Sequence, residues 1–229
     1  MKLIACLSGW GQKFDCLEDS FCQEIRQKYR INSLNYSNYS NFSEFSESLN
    51  SVANPDVLVG WSLGGQIALR LILKKIFNPK ILILIAPPFQ MIKDEKIQAG
   101  MSQKTFNEFY INLKTAPNAT LKKFSILTAM NDKNKSDIVK NLKIEDSNQH
   151  NLLNWLDELR NFSGFDVELN EMPPTQYIIG LGDTIVHPSQ VRYFQERIKN
   201  IEVNYFDNCG HAPHLSNNRR FNEVLLKIL

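Results

Sequence analysis

A chain of 229 residues, 43% hydrophobic and 22% charged, is long enough for one sizeable α/β domain with its own core and too apolar to be disordered. Its formal net charge of +2, with most lysines scattered, excludes the concentrated basic face of a nucleic-acid binder, and no apolar run approaches the roughly 18–20 residues of a membrane span. The opening MKLIACLSGWG is too short an apolar stretch for a signal peptide, so a cytoplasmic location is expected, and Cys6, Cys16, Cys22 and Cys209, which form no CxxC pair, are expected to be reduced packing thiols.

Lys2–Leu7 reads as a buried strand that stops at the turn Ser8-Gly9-Trp10-Gly11. Leu17, Phe21 and Ile25, spaced by four among charged residues, predict a helix over 14–29. The Ser- and Asn-rich stretch 36–51 reads as a loop with a helix over 42–49. A strand over 56–59 enters a turn at Gly60, a helix covers 63–77, and the apolar strand 80–85 is stopped by Pro87 and Pro88. Strand and helix in alternation imply a mostly parallel sheet with helices on both faces.

The pattern then changes. Residues 89–172 show no clear strand, only helical segments near 105–113, 120–130 and 151–160, which predicts a helical cap inserted into a core made of 1–88 and 173–229. The alternation resumes with a strand over 175–179, a helix over 188–199, a strand over 202–206 and a last helix over 215–228.

Within "VGWSLGGQIALR" (59–70), Ser62 stands in a G-x-S-x-G motif that follows a predicted strand and opens a predicted helix. That is the setting of a nucleophile elbow, where glycines let the strained serine backbone approach its neighbours. The alternative is a glycine-rich turn that binds phosphate or simply packs. A serine needs a base, and of the four histidines His211, in "DNCGHAPHLS", lies just past the last predicted strand. His150 and His187 read as surface residues, and His214 has no third ligand nearby for a metal pair with His211, so no metal is expected. The base needs an acid to fix its tautomer. Asp183, directly after the strand over 175–179, is the candidate, ahead of Asp207 and Asp166. The order Ser62, Asp183, His211, each at a strand end, is the order of an α/β hydrolase and makes Ser62 the expected nucleophile. The oxyanion donors expected are the backbone N–H groups of Leu63 and Trp10, with a plain core role as the alternative for Trp10. No cofactor is expected.

"GWSLGG", "SGWG", "GLGD" and "GHAPHLS" together resemble the pimeloyl-acyl-carrier-protein methyl ester esterases of biotin synthesis. The resemblance implies an α/β-hydrolase fold with a helical cap and an ester substrate carried on an acyl carrier protein. It also implies that the cap stretch Phe124, Ser125, Ile126, Leu127 and Thr128 touches the acyl chain together with Trp10, Ser62, Leu63 and His211. Lys122 and Lys123 stand where that family has basic residues facing the carrier. Three departures are visible: the chain opens at the strand before the oxyanion loop, so about six strands are expected; Ser8 replaces the histidine that usually precedes the loop glycine; and the cap matches poorly. From Lys96 to Lys143 the chain carries a net +6, which suits an acidic carrier. A monomer is expected. A short-chain carboxylesterase without a carrier partner and a non-catalytic hydrolase-fold binding protein are the two other readings.

Overall fold

The computed structural model describes residues 1–145 and 148–229; residues 146 and 147, inside the expected cap, lie outside them. Among the described residues six strands, β1 (Lys2–Leu7), β2 (Tyr29–Ser33), β3 (Val57–Trp61), β4 (Ile81–Ile85), β5 (Thr175–Gly180) and β6 (Ile201–Phe206), form one sheet in the order β2-β1-β3-β4-β5-β6. Every pairing is parallel. The near-continuous apolar runs follow from burial on both faces. Along the strands, Ala5, Leu7, Leu58 and Leu84 join one core, while Ile4, Cys6, Val57, Val59 and Trp61 join the other. Each fully buried leucine, isoleucine or valine among them contributes about 1.5–3 kcal/mol relative to exposure.

The chain runs from β1 outward to β2 and then returns to β3 on β1's other side. The sheet order therefore reverses between β1 and β3, and the crevice at such a point, outside the strands' carboxyl ends, is where open α/β sheets hold ligands. The loop Ser8–Gly11 leaves β1 and Ser62 leaves β3, so both flank it.

Ten α-helices complete the fold: α1 (Gln23–Lys28), α2 (Phe42–Ser48), α3 (Leu63–Leu73), α4 (Gln103–Thr115), α5 (Pro117–Thr128), α6 (Lys135–Asn141), α7 (Gln149–Asn161), α8 (Val191–Gln195), α9 (Pro213–Ser216) and α10 (Asn218–Leu226) among the described residues. Helices α4 to α7 all fall between β4 and β5. Ser102 caps α4 by accepting from Thr105 N–H, and Pro117 starts α5 at the position where its missing N–H costs nothing. α7 is tied to the sheet layer: Glu158 pairs with Arg70 of α3 at 2.7 Å and accepts from Phe42 N–H, and the Trp155 indole donates to Tyr39 O.

The structure departs from the sequence expectations at several ends. The helix expected over 14–29 is a short 3-10 turn, then α1, then the edge strand β2. Cys22 is extended there and its N–H donates to Asn222 of α10, so the helix restarts, while Leu17, Phe21 and Ile25 stay buried as their spacing implies. α3 stops at Leu73 because Lys75 adopts a positive φ of 58°. The helix expected over 188–199 is only a 3-10 turn followed by α8, and the last helix breaks at Asn217, whose side chain caps α10. α6 lies in a stretch where no helix was expected.

Candidate active site

β3 delivers the chain into Gly60, Trp61 and Ser62, and α3 begins at Leu63. Ser62 sits at φ 54°, ψ −118°, a conformation costing on the order of 1–3 kcal/mol that persists only where its surroundings fix it. The surroundings are tight. A Cβ on Gly64 would lie 2.2 Å from Leu7 O and 2.5 Å from Ser8 O, and one on Gly60 would lie 2.4 Å from Gly64 O. The glycines of the motif are therefore required by the crossing of β1 against the start of α3.

Ser62 Oγ is 2.9 Å from His211 Nε2, and His211 Nδ1 is 2.7 Å from Asp183 Oδ2. All three are buried, at 5%, 1% and 4% exposure. The other carboxylate oxygen of Asp183 accepts from the N–H groups of Ile185 and Val186, at 2.8 and 2.9 Å, which fixes its orientation. The histidine is clamped through its backbone: its N–H donates to Thr128 O at the end of α5, and its carbonyl accepts from the Trp61 indole at 2.8 Å. Hydroxyl, imidazole and carboxylate thus form one hydrogen-bonded line built from the ends of β3, β6 and β5. Asp207 is exposed and Asp166 lies in a turn after α7, and neither joins it.

The β1 loop holds the other side of the site. Trp10 is buried, its indole donates to Leu152 O of α7 at 2.9 Å, and its ring packs edge-on against Phe109 and Phe124. Ser8 reaches only Gln12 O, at 3.4 Å. What supports this loop is Tyr36, which the sequence reading missed: its buried hydroxyl donates to Gly9 O at 3.0 Å and lies 3.3 Å from Ser8 O.

Above Ser62 lies an apolar cavity of about 300 Å³. α4 contributes Thr105, Phe106 and Phe109 to its wall, α5 contributes Phe124 and Leu127, and α7 contributes Leu156 and Leu159. Met91, Met101, Met130, Thr184 and Ile185 close it from the loops, with Trp10 at the base. Among the described residues, no charged side chain lines it. Of the stretch expected to touch a substrate chain, Phe124 and Leu127 face the cavity, three residues apart as one helical face requires. Ser125 and Thr128 turn away, their hydroxyls bonded back to Leu121 O and Phe124 O, and Ile126 is 44% exposed. Lys122 and Lys123 are exposed, and Lys122 lines a separate groove with Pro117, Glu145 and Gln149. The wall residues from α4 and α7 carried a signal, the apolar period of their helices, but the loop methionines and Thr184 carried none.

Two further groups lie behind the site. Burial pushes the Cys209 thiol up to about 11, aided by Asp132, which fits a packing role. His214 is fully buried against the Trp61 ring, 4.7 Å between centroids, with neither ring nitrogen hydrogen-bonded. Burial, with a smaller contribution from His211, pushes its pKa from 6.5 down to about 3. An unfolded chain therefore takes up a proton below pH 6.5 that the folded ring refuses until about pH 3. Stability from this group is intact above pH 6.5 and falls as pH drops through that window, by up to about 1.4 kcal/mol per pH unit. His214→Phe, which fills the same space, is expected to lose that slope: the difference in urea midpoint between variant and wild type should widen steadily from pH 7 to 4. A difference that stays constant with pH would show that His214 does not titrate this way.

The α/β-hydrolase fold family matches residues 35–218. The chain belongs to that family. Among curated relatives, a pimeloyl-[acyl-carrier protein] methyl ester esterase from Pseudoalteromonas atlantica is 33% identical over 181 residues, 75% of this chain and 69% of that one. A protein of the same name from Nitrosospira multiformis is 29% identical over 180 residues, 72% of this chain and 65% of its own. The biotin biosynthesis bifunctional protein BioHC of Teredinibacter turnerae is 33% identical over 178 residues, 71% of this chain and 31% of that longer protein. The chain thus spans about two thirds of the length of the two esterases and about a third of the bifunctional protein. The resemblance to such esterases read from the short motifs is matched by relatives that carry that name. In three dimensions, an esterase from Exiguobacterium antarcticum superposes with a TM-score of 0.86 at 18% identity, covering 99% of this chain and 91% of that one, which establishes the shared fold.

Proposed function

We propose that this hydrolase is a serine carboxylesterase that cleaves the methyl ester of a pimeloyl chain borne by an acyl carrier protein, leaving the carrier-bound acid for biotin synthesis. The observation that carries the reading is the Ser62–His211–Asp183 line at the floor of an uncharged cavity, in a chain whose relatives are named for that reaction. Ser62 Oγ attacks the ester carbonyl as His211 Nε2 takes its proton, and the N–H groups of Leu63 and Trp10 receive the charge on the carbonyl oxygen. His211 then returns the proton to the departing methoxide, which leaves as methanol. Water, deprotonated by His211, attacks the acyl-enzyme, and the carboxylic acid is released as Ser62 regains its proton. Asp183 holds the imidazole so that Nε2 is free to accept. The methylene chain lies among Trp10, Phe124 and Leu127, where burying each CH₂ contributes about 0.8 kcal/mol.

A short-chain carboxylesterase without a carrier partner would use the same chemistry, so the test must involve the carrier. Lys122 and Lys123 are exposed on α5, the helix whose other face lines the cavity. Reversing both to glutamate is expected to raise KM several-fold for a methyl ester linked to an acidic carrier and to leave a free methyl ester nearly unchanged. The discrimination should fade as salt rises, since the Debye length is already about 8 Å at physiological ionic strength. If wild-type enzyme hydrolyses the free and carrier-linked esters with equal kcat/KM, the carrier is not part of the substrate. Equal loss on both esters in the double variant would remove these lysines from docking.

A further inference from the structure

The loop after β1 must present the Trp10 N–H in a fixed direction, yet Ser8 leaves it without the side-chain support expected at that position. The Trp10 N–H and the Gly9 carbonyl belong to one peptide unit, planar and trans, so they point in opposite directions and turn together. Two donors hold that carbonyl: the Tyr36 hydroxyl at 3.0 Å and Gln12 N–H at 3.2 Å. The Ser8 carbonyl, one peptide earlier, lies 3.3 Å from the same hydroxyl. Tyr36 is itself immobilised, buried in the loop after β2 with its ring 4.7 Å from Trp155 and 6.3 Å from Phe45. Trp155 in turn is fixed by its indole bond to Tyr39 O.

We infer that Tyr36 is a positioning residue for the oxyanion hole, orienting the Trp10 N–H by gripping the Gly9 and Ser8 carbonyls from the far side of their peptide planes. The hydroxyl does not touch substrate. Burial pushes the phenol's pKa upward, so it keeps its proton and acts as a donor. The arrangement matters because an oxyanion donor is useful to the extent that it is already aimed before charge develops, and a peptide free to rock gives up part of that advantage. This inference rests on the esterase reading of the site, and it adds a residue that no motif contains.

The test is Tyr36→Phe, which keeps the ring contacts with Trp155 and Phe45 and removes only the donor. With a small methyl ester, kcat is expected to fall about 5- to 50-fold, less than the 10²–10³ lost when an oxyanion donor itself is deleted, while KM stays within about twofold. A trifluoromethyl ketone, which forms a tetrahedral adduct on Ser62, should weaken by the same factor as kcat. The pH profile of kcat/KM should keep its midpoint, because the His211–Asp183 pair is untouched. A thermal melt on both proteins verifies that the variant is folded. Unchanged kcat and inhibitor affinity would overturn the inference, as would a KM increase that accounts for the whole loss. Failure of the esterase reading looks different: the wild type would then bind the ketone no more tightly than Ser62→Ala does.

Discussion

Ser62→Ala is expected to lower hydrolysis of p-nitrophenyl acetate or butyrate by about 10⁴- to 10⁶-fold, to the level left by binding and the oxyanion donors alone. The size follows from geometry: among the described residues, the hydrogen-bond partner of His211 Nε2 is the Ser62 hydroxyl at 2.9 Å. Cys209, two residues from His211, cannot substitute, since its thiol is buried and held protonated up to about 11. The fold should survive. The strained backbone at Ser62 is imposed by the β1–α3 crossing rather than by the hydroxyl, and Ser62 Oγ caps no helix. Melting temperature is therefore expected to change by no more than a few degrees, and a folded variant that keeps more than a few per cent of activity would rule Ser62 out as nucleophile.

The features legible in the sequence were those with strong local causes. Both faces of β1, β3 and β4 are buried, so their sequences are near-continuous apolar runs that need no context, and the serine turn is marked by glycines that the crossing of β1 demands. Because functional groups in such a sheet collect at strand ends, those ends also pointed to Asp183 and His211, which the structure brings into hydrogen-bond contact with each other and with Ser62. β2 was invisible for the opposite reason. It is an edge strand whose residues Arg30 to Ser33 are partly or fully exposed, so no alternation or apolar run marks it. Tyr36 was missed because its role depends on the parallel pairing of β1 with β2, which brings residue 36 beneath residues 8 and 9. Nothing within a few residues of it encodes that meeting. The stretch 124–128 was read as a contiguous contact, but helical geometry presents only every third or fourth residue to one side, so Phe124 and Leu127 reach the cavity and the residues between them do not.

Asp183→Asn is expected to depress kcat/KM by about 10⁴-fold, whereas Asp207→Asn should stay within about twofold of wild type. The asymmetry comes from the hydrogen bonds around the carboxylate. Asp183 Oδ1 accepts from two backbone N–H groups, those of Ile185 and Val186, and only an oxygen can fill that position. An asparagine there must therefore keep its oxygen toward the loop and turn its NH₂ toward His211 Nδ1, where the carboxylate now lies at 2.7 Å. A donor facing Nδ1 obliges that nitrogen to be unprotonated, so the neutral ring carries its hydrogen on Nε2. That hydrogen points at Ser62 Oγ, and a nitrogen already bearing a proton cannot accept another from the serine. The hydrogen-bond geometry survives while the base is lost, so KM should move little and kcat should carry the effect. Asp207 is exposed in the turn after β6 and has no such constraint. Measuring both variants on one small ester decides the matter, because a large loss at 207 with near-normal activity at 183 would transfer the acid's role to Asp207.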